Sequence, residues 1–209
     1  MLINKIIFRL NSFCLLLILA FIIYNKIFDI SVGGLFLPPA APPYFGAGLF
    51  TLGFQILCSI PPIICAFSFT LLKTLKPNNI SNQFLLYSAI LTAGYLLNEI
   101  YRLHIIFLQF GIPKLVTIFC YAIISSLYGL AFRRQIKSTP YIILIASLVL
   151  LFIAITVDSL HFEGDGTHSL LEGIPKFLSG LNVALYFWFV CYREVLHSLQ
   201  SAKSDNSYR

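Results

Sequence analysis

Charge is the scarcest commodity in this sequence. Only 11% of its 209 residues are Asp, Glu, Lys or Arg, against 58% hydrophobic, and the mean hydropathy is +0.87. Soluble domains carry about 25% charge, so a water-facing shell cannot be assembled from these residues. Other absences narrow the chemistry. The five cysteines, Cys14, Cys58, Cys65, Cys120 and Cys191, form no Cys-x-x-Cys and all fall inside apolar runs. An isolated cysteine there behaves as a small hydrophobe, which argues against a zinc ribbon or a thioredoxin-like motif. No Gly-x-Ser-x-Gly elbow and no phosphate-cradling glycine loop are present, so the serine-hydrolase and nucleotide-binding signatures are missing. No two of the four histidines lie in the cores of separate apolar runs, which argues against a transmembrane b-type haem. The net charge is +6, but the 14 basic residues are scattered in ones and twos with no basic helix or aromatic RNA motif. Nucleic acid is therefore not an expected partner. No internal repeat is visible, which argues against the inverted-repeat transporter folds.

What is present is apolar length. A membrane-crossing helix needs about 20 mostly apolar residues, and six runs qualify, roughly 12–28, 45–72, 83–102, 115–132, 141–157 and 175–192. The expected fold is all-α: a polytopic six-transmembrane-helix bundle forming one integral membrane domain over 1–209, of which 193–209 is a cytoplasmic tail. The second run carries Pro61-Pro62, and proline removes an N–H and clashes one turn back, so a kink or tilt is expected there. "LNSFC" is not a lipoprotein signal because Phe13, rather than a small residue, precedes Cys14. The first run also lacks a small-x-small cleavage site and is read as an uncleaved span.

Lys and Arg in the loops set the orientation. With the N-terminus inside, Lys5, Arg9, Lys73, Lys76, Arg133, Arg134, Lys137, Arg193, Lys203 and Arg209 fall on the inner side, and Lys26, Arg102, Lys114 and Lys176 on the outer. Ten against four predicts both termini in the cytoplasm, in a plasma or bacterial inner membrane. Asn79-Ile80-Ser81 then lies inside, and its match to a glycosylation site is fortuitous. The acidic residues sort oppositely: Asp29, Glu99, Asp158, Glu163, Asp165 and Glu172 are outer, as are His104, His161 and His168. Acidic charge contributes little to topology, so the outer face is the chemically interesting one. The first outer loop, "DISVGGLFLPPAAPPYFG", is rich in Pro and Gly, nearly uncharged, and expected to lie along the interface as a lid.

Polar side chains recur at helical spacing inside the runs. Ser88, Thr92, Tyr95, Glu99 and Arg102 share one face of the third, and Thr117, Tyr121, Ser125 and Tyr128 share one face of the fourth. Thr51, Gln55 and Ser59 do so in the second, and Glu172, Lys176 and Ser179 open the sixth. Such stripes either hydrogen-bond helices to one another or line a hydrated cavity. Glu99 lies 18 residues beyond Ser81, roughly 27 Å along a helix, near the outer edge of the hydrocarbon. Asp158 and Lys176 belong to the same depth, so Glu99, Arg102, Asp158 and Lys176 are expected as an ion-paired set.

The stretch "DSLHFEGDGTHSLLEGIPK" concentrates the remaining chemistry. His161, Glu163, Asp165 and His168 offer ligand types suited to zinc or manganese, without a zincin or closed zinc-finger spacing. "HFEGDGTH" is read as a hydrated turn, with His161, His168 and Asp158 as candidate ligands for a divalent metal. Glu99, His104, Asp158, His161 and Glu172 form a candidate catalytic set that could hold a metal-activated water or act as acid and base. Intramembrane metal-dependent hydrolases acting on lipids use comparable sets. The seven spans and last-span histidine pair of the ceramidase and progestin-receptor-like superfamily are not found here. Three function classes follow. The first is a non-enzymatic accessory, scaffold or small sensor protein, in a lipid bilayer with a membrane-protein partner. The second is a small transporter or channel-like protein using stripes around Gln55, Glu99 and Tyr121. The third is a membrane-embedded hydrolase acting on a lipid-like substrate.

Overall fold

The computed structural model describes residues 2–36, 46–75, 77, 80–160 and 167–207, with side chains described over 5–36, 46–75, 77, 80–159 and 168–201. Among the described residues it is all-helical: α1 (Leu2–Ile27), a 3-10 turn (Gly33–Leu35), α2 (Leu49–Leu75), α3 (Ile80–Tyr101), α4 (Leu103–Gln109), α5 (Lys114–Ala131), α6 (Arg133–Lys137), α7 (Tyr141–Leu160) and α8 (Thr167–Ser207). Six of these, α1, α2, α3, α5, α7 and α8, are long and apolar enough to cross a membrane, and each overlaps one of the six expected runs.

The ends differ from expectation in instructive ways. α1 starts at Leu2 because nothing in "LINKIIFRL" breaks a helix; Lys5 and Arg9 lower the hydropathy without altering the backbone preference. α8 begins at Thr167, eight residues before Pro175, and runs 41 residues through the stretch read as a tail. α4 and α6 are short helices in segments read as loops or span edges. Arg102 adopts a left-handed conformation, φ 48°, which ends α3 and turns the chain into α4. Such a φ is uncommon for a residue with a Cβ. Gly111 (φ 79°) closes α4, and extended Pro113 leads into α5. Pro61 and Pro62 lie inside α2, which continues as one 27-residue helix. The pair leaves the carbonyls of Leu57 and Cys58 without their N–H partners four residues on. Thus the expected interruption amounts to two missing backbone bonds within a continuous helix.

Two compact units divide the chain, Met1–Leu57 with Ile142–Leu185, and Cys58–Tyr141 with Tyr186–Arg209. The first is built on Ile18, Leu35 and Phe50, against which Phe21, Val32, Phe36, Ile174 and Phe177 pack. The rings of Phe36 and Phe50 stack at 5.1 Å, and Phe177 meets Phe50 edge-on at 5.5 Å. Leu35 is wholly buried, so this part of the first outer loop is a core element rather than a lid; its prolines lie outside the described residues. α2 and α8 approach closely here because α8 presents glycine. A Cβ on Gly180 would lie 2.7 Å from the Phe54 ring, and one on Gly173 would overlap the ring of Phe36.

In the second unit, Phe84, Tyr87, Tyr128 and Phe132 form a ring cluster joining α3 to α5 and the turn that follows it, with centroids 5.3–6.1 Å apart. Thr139 and Tyr186 share a hydrogen bond of 2.9 Å between hydroxyls. The Arg193 guanidinium donates to the Ser138 carbonyl at 2.7 Å.

Candidate functional site

The candidate catalytic and ion-pair residues fall at helix ends. In the second unit, half-buried Glu99 lies two residues before the end of α3, exposed Arg102 forms the left-handed link, and half-buried His104 follows in α4. In the first unit, half-buried Asp158 lies two residues before the end of α7. The early start of α8 changes the reading of its neighbours. His168 belongs to the first turn of that helix rather than to a hydrated turn. With Glu172 and Lys176 it forms a ladder at steps of four, all half-buried and all on one face. A carboxylate four residues before a lysine is the favourable order along a helix. The Lys176 ammonium also sits 5.0 Å from the centroid of the Phe54 ring, within cation–π range.

Glu99, His104, Asp158, His168, Glu172 and Lys176 are each engaged by a neighbouring group. His161 lies outside the described residues, as do Glu163 and Asp165. Among the described residues, no three His, Cys, Asp or Glu side chains gather as metal ligands.

The polar stripes are much more fully resolved. Those of α3 and α5 face each other: Ser88 and Tyr128 share a hydrogen bond of 2.6 Å between hydroxyls, and the Tyr121 hydroxyl donates to the Gly94 carbonyl at 3.2 Å. Ser88 also donates to the Phe84 carbonyl, and Thr92 to that of Ser88, so these hydroxyls are held within their own helix as well. One turn further toward Glu99 the pattern changes. Thr117, four residues before Tyr121, is buried, and its hydroxyl has no hydrogen-bond partner among the described residues. The side-chain oxygen of Asn98, four residues after Gly94, is in the same condition.

In the first unit the Asn11 and Asn182 amides bond each other reciprocally, at 2.9 and 3.1 Å. The Ser179 hydroxyl donates to the Ser147 carbonyl at 2.8 Å. Thr51, from the stripe of α2, donates to the Phe36 carbonyl. Sequence reasoning missed the asparagine pair. Asn182 inside the sixth run and Asn11 at the edge of the first were a usable signal, but their 171-residue separation hid the pairing. It likewise missed the contact of Cys65 with Cys191, whose sulfurs lie 3.7 Å apart.

One further concavity lies in the second unit between the end of α2 and the start of α3. It measures about 300 Å³ and is lined by Phe69, Lys73, Ile80, Asn82 and Gln83 among others. One ammonium and two amides in an otherwise apolar lining make no catalytic constellation.

Residues 12–192 match the model of a family described as a domain of unknown function, DUF8692. No curated protein and no solved structure matches the chain.

Proposed function

The chain belongs to the DUF8692 family, and we propose that it is a multi-pass integral membrane protein, with both termini cytoplasmic, acting as a non-enzymatic accessory, scaffold or small sensor protein. The observation that carries the membrane reading is an inverted polarity. Phe8, Phe13, Phe67, Leu115, Phe119, Ile142 and Phe152 are each more than 60% exposed, while Ser88, Thr117, Ser147, Ser179 and Asn182 are buried. In water such a surface is an aggregation liability. In lipid it is the expected outer face, with polar groups turned inward. Ten of fourteen Lys and Arg on the inner side supports the orientation.

The accessory role draws its support from how the polar stripes are used. Ser88–Tyr128, Tyr121–Gly94, Asn11–Asn182 and Ser179–Ser147 bind one segment to another, which is the work of packing. The partner proposed is another membrane protein. Purification in a mild detergent tests this by native mass spectrometry combined with metal analysis. The accessory reading expects a complex heavier than the 23.5 kDa chain and no stoichiometric metal. Stoichiometric metal that is lost in both Asp158→Ala and His161→Ala would instead establish the hydrolase reading.

The transporter reading has one observation in its favour, the buried oxygens of Thr117 and Asn98 that lack partners. Buried polar groups are normally satisfied, and water or a small cation would satisfy both. Uptake measured in vesicles, compared between the wild type and Thr117→Val, tests that reading.

A further inference from the structure

Cys65 in α2 and Cys191 in α8 are 126 residues apart in sequence, yet their sulfurs lie 3.7 Å apart. Both belong to the second unit, and they are 0% and 2% exposed. Cys14, Cys58 and Cys120 are also free thiols.

We infer that Cys65 and Cys191 are a paired dithiol that a small, uncharged peroxide oxidises to a disulfide tying α2 to α8 within the second unit. Burial selects the oxidant. A bulky or charged disulfide such as oxidised glutathione has no approach to sulfurs this enclosed, whereas hydrogen peroxide is uncharged and scarcely larger than water. Either sulfur can attack first, because the thiolate is the nucleophile in cysteine chemistry and the two thiols face each other; the route through Cys191 is representative. The Cys191 sulfur attacks one peroxide oxygen and the O–O bond breaks. The departing hydroxide takes up the Cys191 proton and leaves as water, and Cys191 becomes a sulfenic acid. A sulfenic acid condenses with a nearby thiol. The Cys65 sulfur attacks Cys191, the S–O bond breaks, and the hydroxyl leaves with the Cys65 proton as a second water. In total, two thiols and one peroxide give one disulfide and two waters, with two electrons passing from sulfur to oxygen. Disulfide bonds measure about 2.05 Å, so the sulfurs must close by about 1.6 Å, a distance that side-chain rotation can supply. The inference goes beyond the accessory role and does not depend on it.

The test uses the full chain in lipid nanodiscs, treated with hydrogen peroxide at low molar excess. The protein is then denatured, its free thiols are alkylated, and it is digested without reductant for mass spectrometry. The expected result is loss of two of the five thiols, recovered as a linked Cys65–Cys191 peptide that dithiothreitol releases. In Cys65→Ser, and equally in Cys191→Ser, the remaining thiol has lost its neighbour and no linked peptide should form. The wild-type peptide map decides the matter even where a variant fails to fold. All five thiols surviving, or linkage through Cys14, Cys58 or Cys120 at a comparable yield, would overturn the inference.

Discussion

Replacing Gly180 by alanine should destabilise this protein, although alanine is the better helix former. A Cβ at Gly180 would stand 2.7 and 2.8 Å from two ring carbons of Phe54, which is only 3% exposed. That ring cannot simply swing aside, so α8 must shift from α2 or the ring must leave its rotamer. Overpacking of this kind costs about 1–3 kcal/mol. Set against it is the gain of about 1 kcal/mol from removing a glycine inside a helix. Gly129, inside α5, supplies the control, because a Cβ there meets none of the described residues within 4 Å. Gly129→Ala collects the propensity gain alone, so the difference between the two variants isolates the packing term. We expect Gly180→Ala to be less stable than Gly129→Ala by about 1–3 kcal/mol. Titration of detergent-solubilised protein with SDS, followed by far-UV circular dichroism, gives that difference from the two midpoints and slopes. Equal stability, or Gly180→Ala the more stable, would refute the close approach of α2 and α8 in the first unit.

Three further outcomes follow. Asn182→Leu should cost about 0.6–1.7 kcal/mol in the same titration, the usual range for hydrogen bonds between membrane helices, and Asn11→Leu in that background should cost little more. Tyr128→Phe removes the bond to Ser88 but keeps the ring cluster, so a loss of about 0.6 kcal/mol without change in helix content is expected. Thr117→Val replaces a buried hydroxyl that lacks a partner by an apolar group of similar shape. Since an unsatisfied buried polar group costs about 1–3 kcal/mol, a stability gain within that range is expected, and a loss measured in the thermal melt would place a ligand or water on that hydroxyl.

Much of the helical framework was legible because apolar length and helical period are local properties. The stripes Ser88–Thr92–Tyr95–Glu99 and Thr117–Tyr121–Ser125–Tyr128 were readable for the same reason, and α3 and α5 do turn them toward each other. Helix ends were less legible. Hydropathy placed the start of the sixth run at Pro175, while the steps of four through His168, Glu172 and Lys176 already carried the signal of a helix beginning earlier. Pairings such as Asn11–Asn182 and Cys65–Cys191 were illegible, because one sequence holds no record of which distant residues meet. The candidate set is only partly placed: Glu99 and His104 belong to one unit, Asp158 and Glu172 to the other, and His161 falls outside the described residues.

Topology is the most direct test of the membrane reading. A fluorescent protein that matures only in the cytoplasm, fused after Arg209, should glow in a bacterial host. Alkaline phosphatase, active only outside, should be active when fused after Asp165 and inactive when fused after Lys137. Phosphatase activity after Lys137, or a dark C-terminal fusion, would contradict the six-span arrangement with both ends inside.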